Sequence, residues 1–256
     1  SRLDVTLVRR FVVGALMTLW IPACAWCAAA TQPRHAGQMV HLKRSREPYD
    51  GYLALPQGKG PFPAVVVIIE WWGLNDQIKG VADRLAGAGF AALVPDLYYG
   101  HVTTDPEKAH ELMRGLDEKT ALKDLGAAVD FLRARPEVGK SKVGSLGFCM
   151  GGGLSLQLAL SRPDLQGTVM FYGQPETDPA ILKGIACPVL GLFGAEDQGI
   201  PADQVQEMAK QLNAVGKGAE VKIYPGAGHA FFNQSRPSYK ADAASAAMQK
   251  SLPFLK

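Results

Sequence analysis

The sequence predicts an α/β fold: a mostly parallel central sheet with helices on both faces. Three observations carry that expectation. Ala64-Val65-Val66-Val67-Ile68-Ile69 is a continuous apolar run with no polar alternation, as in a strand covered on both sides. Strand-length apolar segments alternate with helix-length segments along the chain. Gly147-Phe148-Cys149-Met150-Gly151 joins one such strand to one such helix through a turn too tight for ordinary side chains beside Cys149. With 256 residues, 47% of them hydrophobic, the chain can bury one large core.

The N-terminus is read first because it is set apart from the fold. Arg9-Arg10 precedes an apolar run from Phe11 to Ile21, then small residues around Ala23, Ala25 and Ala28-Ala29-Ala30. A basic start, a short apolar core and a small-residue exit describe an export signal over residues 1–30. The run is short for a bilayer span, so a stable membrane helix is not expected. The twin arginines suggest a Tat route, and Ile21-Pro22-Ala23-Cys24 resembles a lipoprotein cleavage box, which places the protein in the periplasm by either path. Removing Arg2, Arg9, Arg10 and Asp4 leaves 24 basic and 23 acidic residues, a net charge of +1, so no nucleic-acid partner is implied. Cys24 and Cys27 leave with the leader, and Cys149 and Cys187 remain. Cys187, before Pro188, reads as a small buried hydrophobe.

Residues 31–48 are polar and expected to be an irregular tether into a single domain over residues 49–256. Tyr49 to Leu55 reads as a short strand and Gly58-Lys59-Gly60-Pro61 as a turn. After the apolar run, Asn75 or Asp76 caps a helix carrying Ile78, Val81, Leu85 and Ala88, which Gly89 ends. Phe90 to Val94 is the next strand. A helix starts at Thr104-Asp105-Pro106-Glu107, and another spans Glu118 to Arg133. The strand before Cys149 and the helix carrying Leu154, Leu156, Leu158 and Leu160 follow. Gly167 to Tyr172, Pro188 to Phe193 and Glu220 to Tyr224 read as strands. Pro201 to Ala214 and the Ala-rich Tyr239 to Leu255 read as helices.

Three strand ends in the second half carry chemical groups. Cys149 follows one, Asp197 lies just beyond the glycine turn after the next but one, and His229 sits in a glycine-rich loop after the last. A strand, a G-x-nucleophile-x-G turn and a helix form a nucleophile elbow, and the order nucleophile, acid, histidine is that of α/β-hydrolases. A lone aspartate after a strand is usually a turn residue, and a lone loop histidine is usually incidental. Three together, each at a carboxyl end of a parallel sheet, point to a catalytic triad. His229 would take the thiol proton and return it to the leaving group, while Asp197 orients the imidazole. Oxyanion donors are expected from the backbone N–H of Met150 and of Trp71. Glu70, a carboxylate ending an apolar strand, needs a partner or a task. Trp71, Trp72, Tyr98, Tyr172 and Phe231 are candidate pocket walls. The His and Cys residues show no metal-ligand spacing, and neither a metal nor an organic cofactor is implied.

These motifs resemble the dienelactone hydrolase family. The resemblance rests on Gly-Phe-Cys-Met-Gly-Gly at the elbow, Ile-Glu-Trp-Trp-Gly-Leu-Asn at 69–75, Pro-Asp-Leu-Tyr at 95–98, Gly-Ala-Glu-Asp at 194–197 and Ala-Gly-His-Ala-Phe at 227–231. It implies an ester or lactone hydrolase working through an acyl-thioenzyme on Cys149. It also implies that Glu70 contacts the resting thiol and helps deprotonate it. One departure is visible: where the family carries carboxylate-binding arginines, this chain has Tyr99 and Gly100 after Pro-Asp-Leu-Tyr, and Asn233 four residues after His229. A pocket without those cations is expected to favour neutral substrates, unless Arg236 or His101 replaces them. Two alternatives stand beside this reading: a general carboxylesterase for small neutral esters, and a non-hydrolytic thiol redox sensor on the same fold.

Overall fold

The computed structural model describes residues 35–43 and 48–256. The expected export signal at residues 1–30 lies outside the described residues, as do 31–34 and 44–47 of the expected tether.

The elements run β1 (Gln38–Lys43), β2 (Pro48–Ala54), β3 (Ala64–Ile68), α1 (Asp76–Gly87), β4 (Ala91–Pro95), α2 (Pro106–Gly115) and α3 (Glu118–Arg133). They continue with β5 (Val143–Phe148), α4 (Met150–Ser161), β6 (Thr168–Phe171), α5 (Pro179–Leu182), β7 (Val189–Gly194), α6 (Ala202–Ala214), β8 (Ala219–Tyr224) and α7 (Ala241–Phe254). One sheet holds all eight strands in the order β1-β2-β4-β3-β5-β6-β7-β8. The β1–β2 and β2–β4 pairs are antiparallel, and every pair from β4 to β8 is parallel. Every residue of β3, β4, β5, β6 and β7 is buried, so both faces of the parallel core are covered, as the apolar runs demand.

Local chemistry sets the helix starts. The side chains of Asn75, Asp105 and Asp117 accept hydrogen bonds from first-turn N–H groups of α1, α2 and α3, satisfying donors that have no intrahelical partner. No helix among the described residues is long and apolar enough to cross a membrane.

One expectation is corrected. Residues 38–43 were expected to belong to an irregular tether, and they form β1, paired with β2 along its whole length. Side chains fasten the start of that segment. The Gly37 N–H donates to Tyr52 Oη at 2.6 Å, Tyr52 Oη donates to Asp83 Oδ1 at 2.6 Å, and His35 Nδ1 lies 2.9 Å from Asp83 Oδ2. The strand is an edge with only Leu42 buried, so its apolar pattern is faint.

Candidate active site

Chain order runs β3-α1-β4 to one side of β3 and β5 onward to the other, so β3 and β5 flank the point where the strand order reverses. Crevices at the carboxyl ends of strands form there. Glu70 lies just past β3, Cys149 directly after β5, Tyr172 after β6, Asp197 past β7 and His229 in the loop after β8.

The elbow explains its own composition. Cys149 has φ 54° and ψ −118°, a conformation that side-chain-bearing residues rarely adopt. A Cβ on Gly147 would sit 1.8 Å from the Gly151 carbonyl oxygen, and one on Gly151 would sit 2.5 Å from the carbonyl oxygens of both Ile68 and Ile69. Strand and helix can approach this closely only through glycine. The turn places Cys149 at the carboxyl end of β5 and Met150 at the first position of α4, whose first-turn N–H groups have no partner from a preceding helical turn.

Cys149, His229 and Asp197 form one hydrogen-bonded chain. His229 Nε2 lies 3.2 Å from Cys149 Sγ, and His229 Nδ1 lies 2.7 Å from Asp197 Oδ2. The Asp197 carboxylate is itself held: Oδ1 accepts from the N–H groups of Gly199 at 2.9 Å and Ile200 at 3.2 Å. Burial alone would raise the Asp197 pKa, but those bonds and His229 outweigh it and leave it lowered. Desolvation likewise opposes the charged form of His229, yet the bonds to Asp197 and Cys149 prevail and push its pKa up to about 10. The arrangement favours a protonated imidazole between the Asp197 carboxylate and Cys149.

Glu70 is buried, and both its oxygens are occupied. Tyr172 Oη donates to Oε1 at 3.0 Å, and Asn233 Nδ2 donates to Oε2 at 2.5 Å. Burial raises its pKa, against the pull of those two bonds and of the His229 and Arg236 charges. The thiol's hydrogen-bond partner in this structure is His229, and the Glu70–thiol contact that the resemblance implies is replaced by the bonds to Tyr172 and Asn233.

These groups open on a cavity of about 510 Å³, lined by Glu70, Trp71, Trp72, Cys149, His229 and Arg236, with Met113, Ala230, Pro237 and Ser238 completing the wall. The Arg236 guanidinium carbon lies over Trp72, 3.3 Å from the ring centroid. Trp72 packs edge-on against Trp71, which in turn meets His110 of α2. Of the two replacement cations left open by the sequence, Arg236 lines this cavity. His101 lines a separate cavity of about 460 Å³ with Tyr98 and Tyr99.

Three expected pocket walls stand elsewhere. Phe231 is fully buried among Phe171, Tyr172 and Tyr224, one step behind the cavity. Tyr172 is also buried and touches the site through its hydroxyl on Glu70 and its ring against His229. Tyr98 faces the second cavity and donates to Met150 Sδ at 3.4 Å. Met113 and Ser238 were missed, because no local pattern announces which loop or helix residue tertiary folding brings to a cavity.

The comparisons with known proteins bear on this geometry. The profile of the dienelactone hydrolase family matches residues 49–256. A protein of Aquifex pyrophilus named protein usf is 37% identical over 207 residues, covering 78% of this chain and 89% of that protein. A Methylorubrum extorquens protein, provisionally named a carboxymethylenebutenolidase, is 35% identical over 207 residues, covering 75% of this chain and 71% of its own length. The crystal structure of a provisionally named dienelactone hydrolase from Klebsiella pneumoniae superposes with a TM-score of 0.77 at 29% identity, covering 86% of this chain and 98% of that one. The chain is a carboxylic ester hydrolase of the α/β-hydrolase fold and belongs to the dienelactone hydrolase family.

Proposed function

We propose that this hydrolase cleaves an ester or lactone through a cysteine nucleophile, and that its substrate carries a carboxylate. The observation that carries the mechanism is the Cys149–His229–Asp197 chain opening on the cavity. In the proposed reaction the Cys149 thiolate adds to the substrate carbonyl carbon, and the tetrahedral oxyanion is met by the backbone N–H groups of Met150 and Trp71. The acyl C–O bond then breaks, and His229 gives its proton to the leaving oxygen. Water, deprotonated by His229, hydrolyses the acyl-thioenzyme, releasing the acid and restoring the thiol. Asp197 keeps the imidazole oriented in both halves.

The carboxylate is argued from Arg236. Its guanidinium faces the same cavity as Cys149, and its buried Nε has no hydrogen-bond partner among the described residues. A carboxylate matches that planar donor group. The name of the Methylorubrum extorquens relative, a carboxymethylenebutenolidase, denotes a lactone bearing such an acid.

The mechanism is tested by quenching turnover of an activated ester with acid and mapping the acyl mass. The acyl group should sit on the peptide containing Cys149. Hydrolysis should vanish in Cys149→Ala and survive largely intact in Cys187→Ala, whose thiol is buried in the core. Full activity in Cys149→Ala would sink the mechanism and leave the thiol as a redox sensor.

Export is proposed on the leader pattern of residues 1–30. Protein recovered from the cell envelope should begin at about residue 26 to 31. A soluble cytosolic protein retaining Arg9-Arg10 would overturn this, and a lipid on Cys24 would support export by the lipoprotein route.

A further inference from the structure

Glu70 lies two residues past a strand that is apolar throughout and is itself buried, so its carboxyl group needs partners from the protein. The protein satisfies it with donors only. Tyr172 Oη meets one oxygen and Asn233 Nδ2 the other. The Asn233 amide cannot be turned around, because its Oδ1 accepts both the Ser235 N–H at 3.0 Å and the Ser235 hydroxyl at 2.6 Å. Its amino end must therefore face Glu70. A proton on Oε2 would set an O–H against the Asn233 amino group and lose that bond, so Asn233 favours the carboxylate form against the burial that raises the Glu70 pKa.

Asn233 also organises the cavity through its backbone. Its N–H donates to the Ala230 carbonyl at 2.9 Å, and its carbonyl accepts the Arg236 N–H at 3.1 Å. The turn from the His229 loop to Arg236 thus passes through the residue that grips Glu70. The titratable and charged groups facing Glu70 are Tyr172 from the end of β6, His229 and Arg236 from the loop after β8, and Cys149 of the elbow across the cavity. His229 and Arg236 attract its negative charge, but both direct hydrogen-bond donors are neutral. The carboxylate therefore keeps its charge available to the imidazolium of His229.

From this juxtaposition we infer that Asn233 is a positioning residue that holds Glu70 as a fixed carboxylate in the cavity wall, and thereby sets the pH range in which the Cys149–His229 pair is reactive. The inference rests on the proposed hydrolytic reading and on the role that the resemblance implies for Glu70, assistance in deprotonating the thiol.

The test reads thiol reactivity rather than turnover alone. Alkylation of Cys149 by iodoacetamide and kcat/KM for a small ester are followed against pH on the full chain. Asn233→Asp keeps the size and the acceptor toward Ser235 but sets a second carboxylate against Glu70, and two carboxylates that close share one proton. Its reactivity profile should move to higher pH by about one to two units, with alkylation at pH 7 slowed about tenfold or more. Asn233→Leu removes the donor without adding charge and should shift the profile the same way, and it decides the matter if the aspartate variant fails to fold. Tyr172→Phe should give a smaller shift of the same sign. In a Glu70→Gln background, Asn233→Asp should add less than about a twofold effect. Should Glu70→Gln slow alkylation while the folded Asn233 variants keep the parent pH profile, the inference fails and the Glu70 reading stands. An unchanged rate in Glu70→Gln would instead remove the Glu70 reading, and the inference with it.

Discussion

His229 stands between a carboxylate and a thiol, and its charge couples the two. Its folded pKa, raised to about 10, lies above the value of about 6.5 expected in the unfolded chain. The stability it contributes is therefore fully present below about pH 6.5 and lost as pH rises toward 10. Urea midpoints of the parent and of His229→Ala should accordingly draw closer between pH 6.5 and 10, and a gap that widened with pH would exclude the charged pair. Asp197→Asn removes the acceptor that fixes the imidazole tautomer while leaving the shape nearly unchanged. It should lower kcat by about 10²–10⁴-fold, and it should also lower the melting temperature at neutral pH, because His229 loses the partner that most raises its pKa. These two residues were legible in the sequence because each needs only a strand end and a glycine turn to reach the site. The cation was harder to place. Arg236 lies seven residues beyond His229, and its entry into the cavity depends on the turn through Asn233.

At the scale of elements, the elbow joins β5 to α4 by backbone contact, and its glycines differ in what they tolerate. Gly151→Ala forces a methyl group against two carbonyl oxygens of the β3 end and should destabilise the fold by about 1–3 kcal/mol or more. Gly153, two residues on in the same helix, has no atom nearer than 3.7 Å to a would-be Cβ. Gly153→Ala should be neutral or stabilising by up to about 1 kcal/mol, since alanine is the better helix former. Thermal melts of the two variants decide this, and similar losses in both would mean that the close approach is not what fixes the glycine. The buried strands were legible for a related reason: a strand covered on both faces is apolar at every position, as β3 is. Strand β1 escaped notice because it is an exposed edge, and what fastens its start is the cluster of His35, Gly37, Tyr52 and Asp83, contributed by separate segments. Helix α2 was anticipated from its cap, yet nothing local showed that Met113 would reach the cavity. Phe231 was misplaced for the opposite reason, since proximity to His229 in sequence does not say which side of the loop faces the core.

The whole molecule gathers one group from each of five strand ends, and the cavity on which Glu70, Cys149 and His229 open is mostly aromatic and apolar with a single guanidinium on its wall. A carboxylate entering such a cavity loses its hydration, and without a cation that loss costs several kcal/mol. Arg236 changes the balance. It is stacked on Trp72, which fixes the plane of its donors at little entropic cost, and its Nε lacks a partner among the described residues. A matched pair of substrates, an ester or lactone with and without a carboxylate, should therefore show higher kcat/KM for the acid. Arg236→Met preserves an unbranched side chain against Trp72 and removes the charge. It should lower kcat/KM for the acid by about 10–100-fold, as expected for one charge-assisted hydrogen-bonded contact, and change the neutral partner by less than about threefold. If the parent enzyme instead prefers the neutral substrate and Arg236→Met affects both members equally, Arg236 belongs to the packing of Trp72, and the cavity is that of a carboxylesterase for uncharged esters.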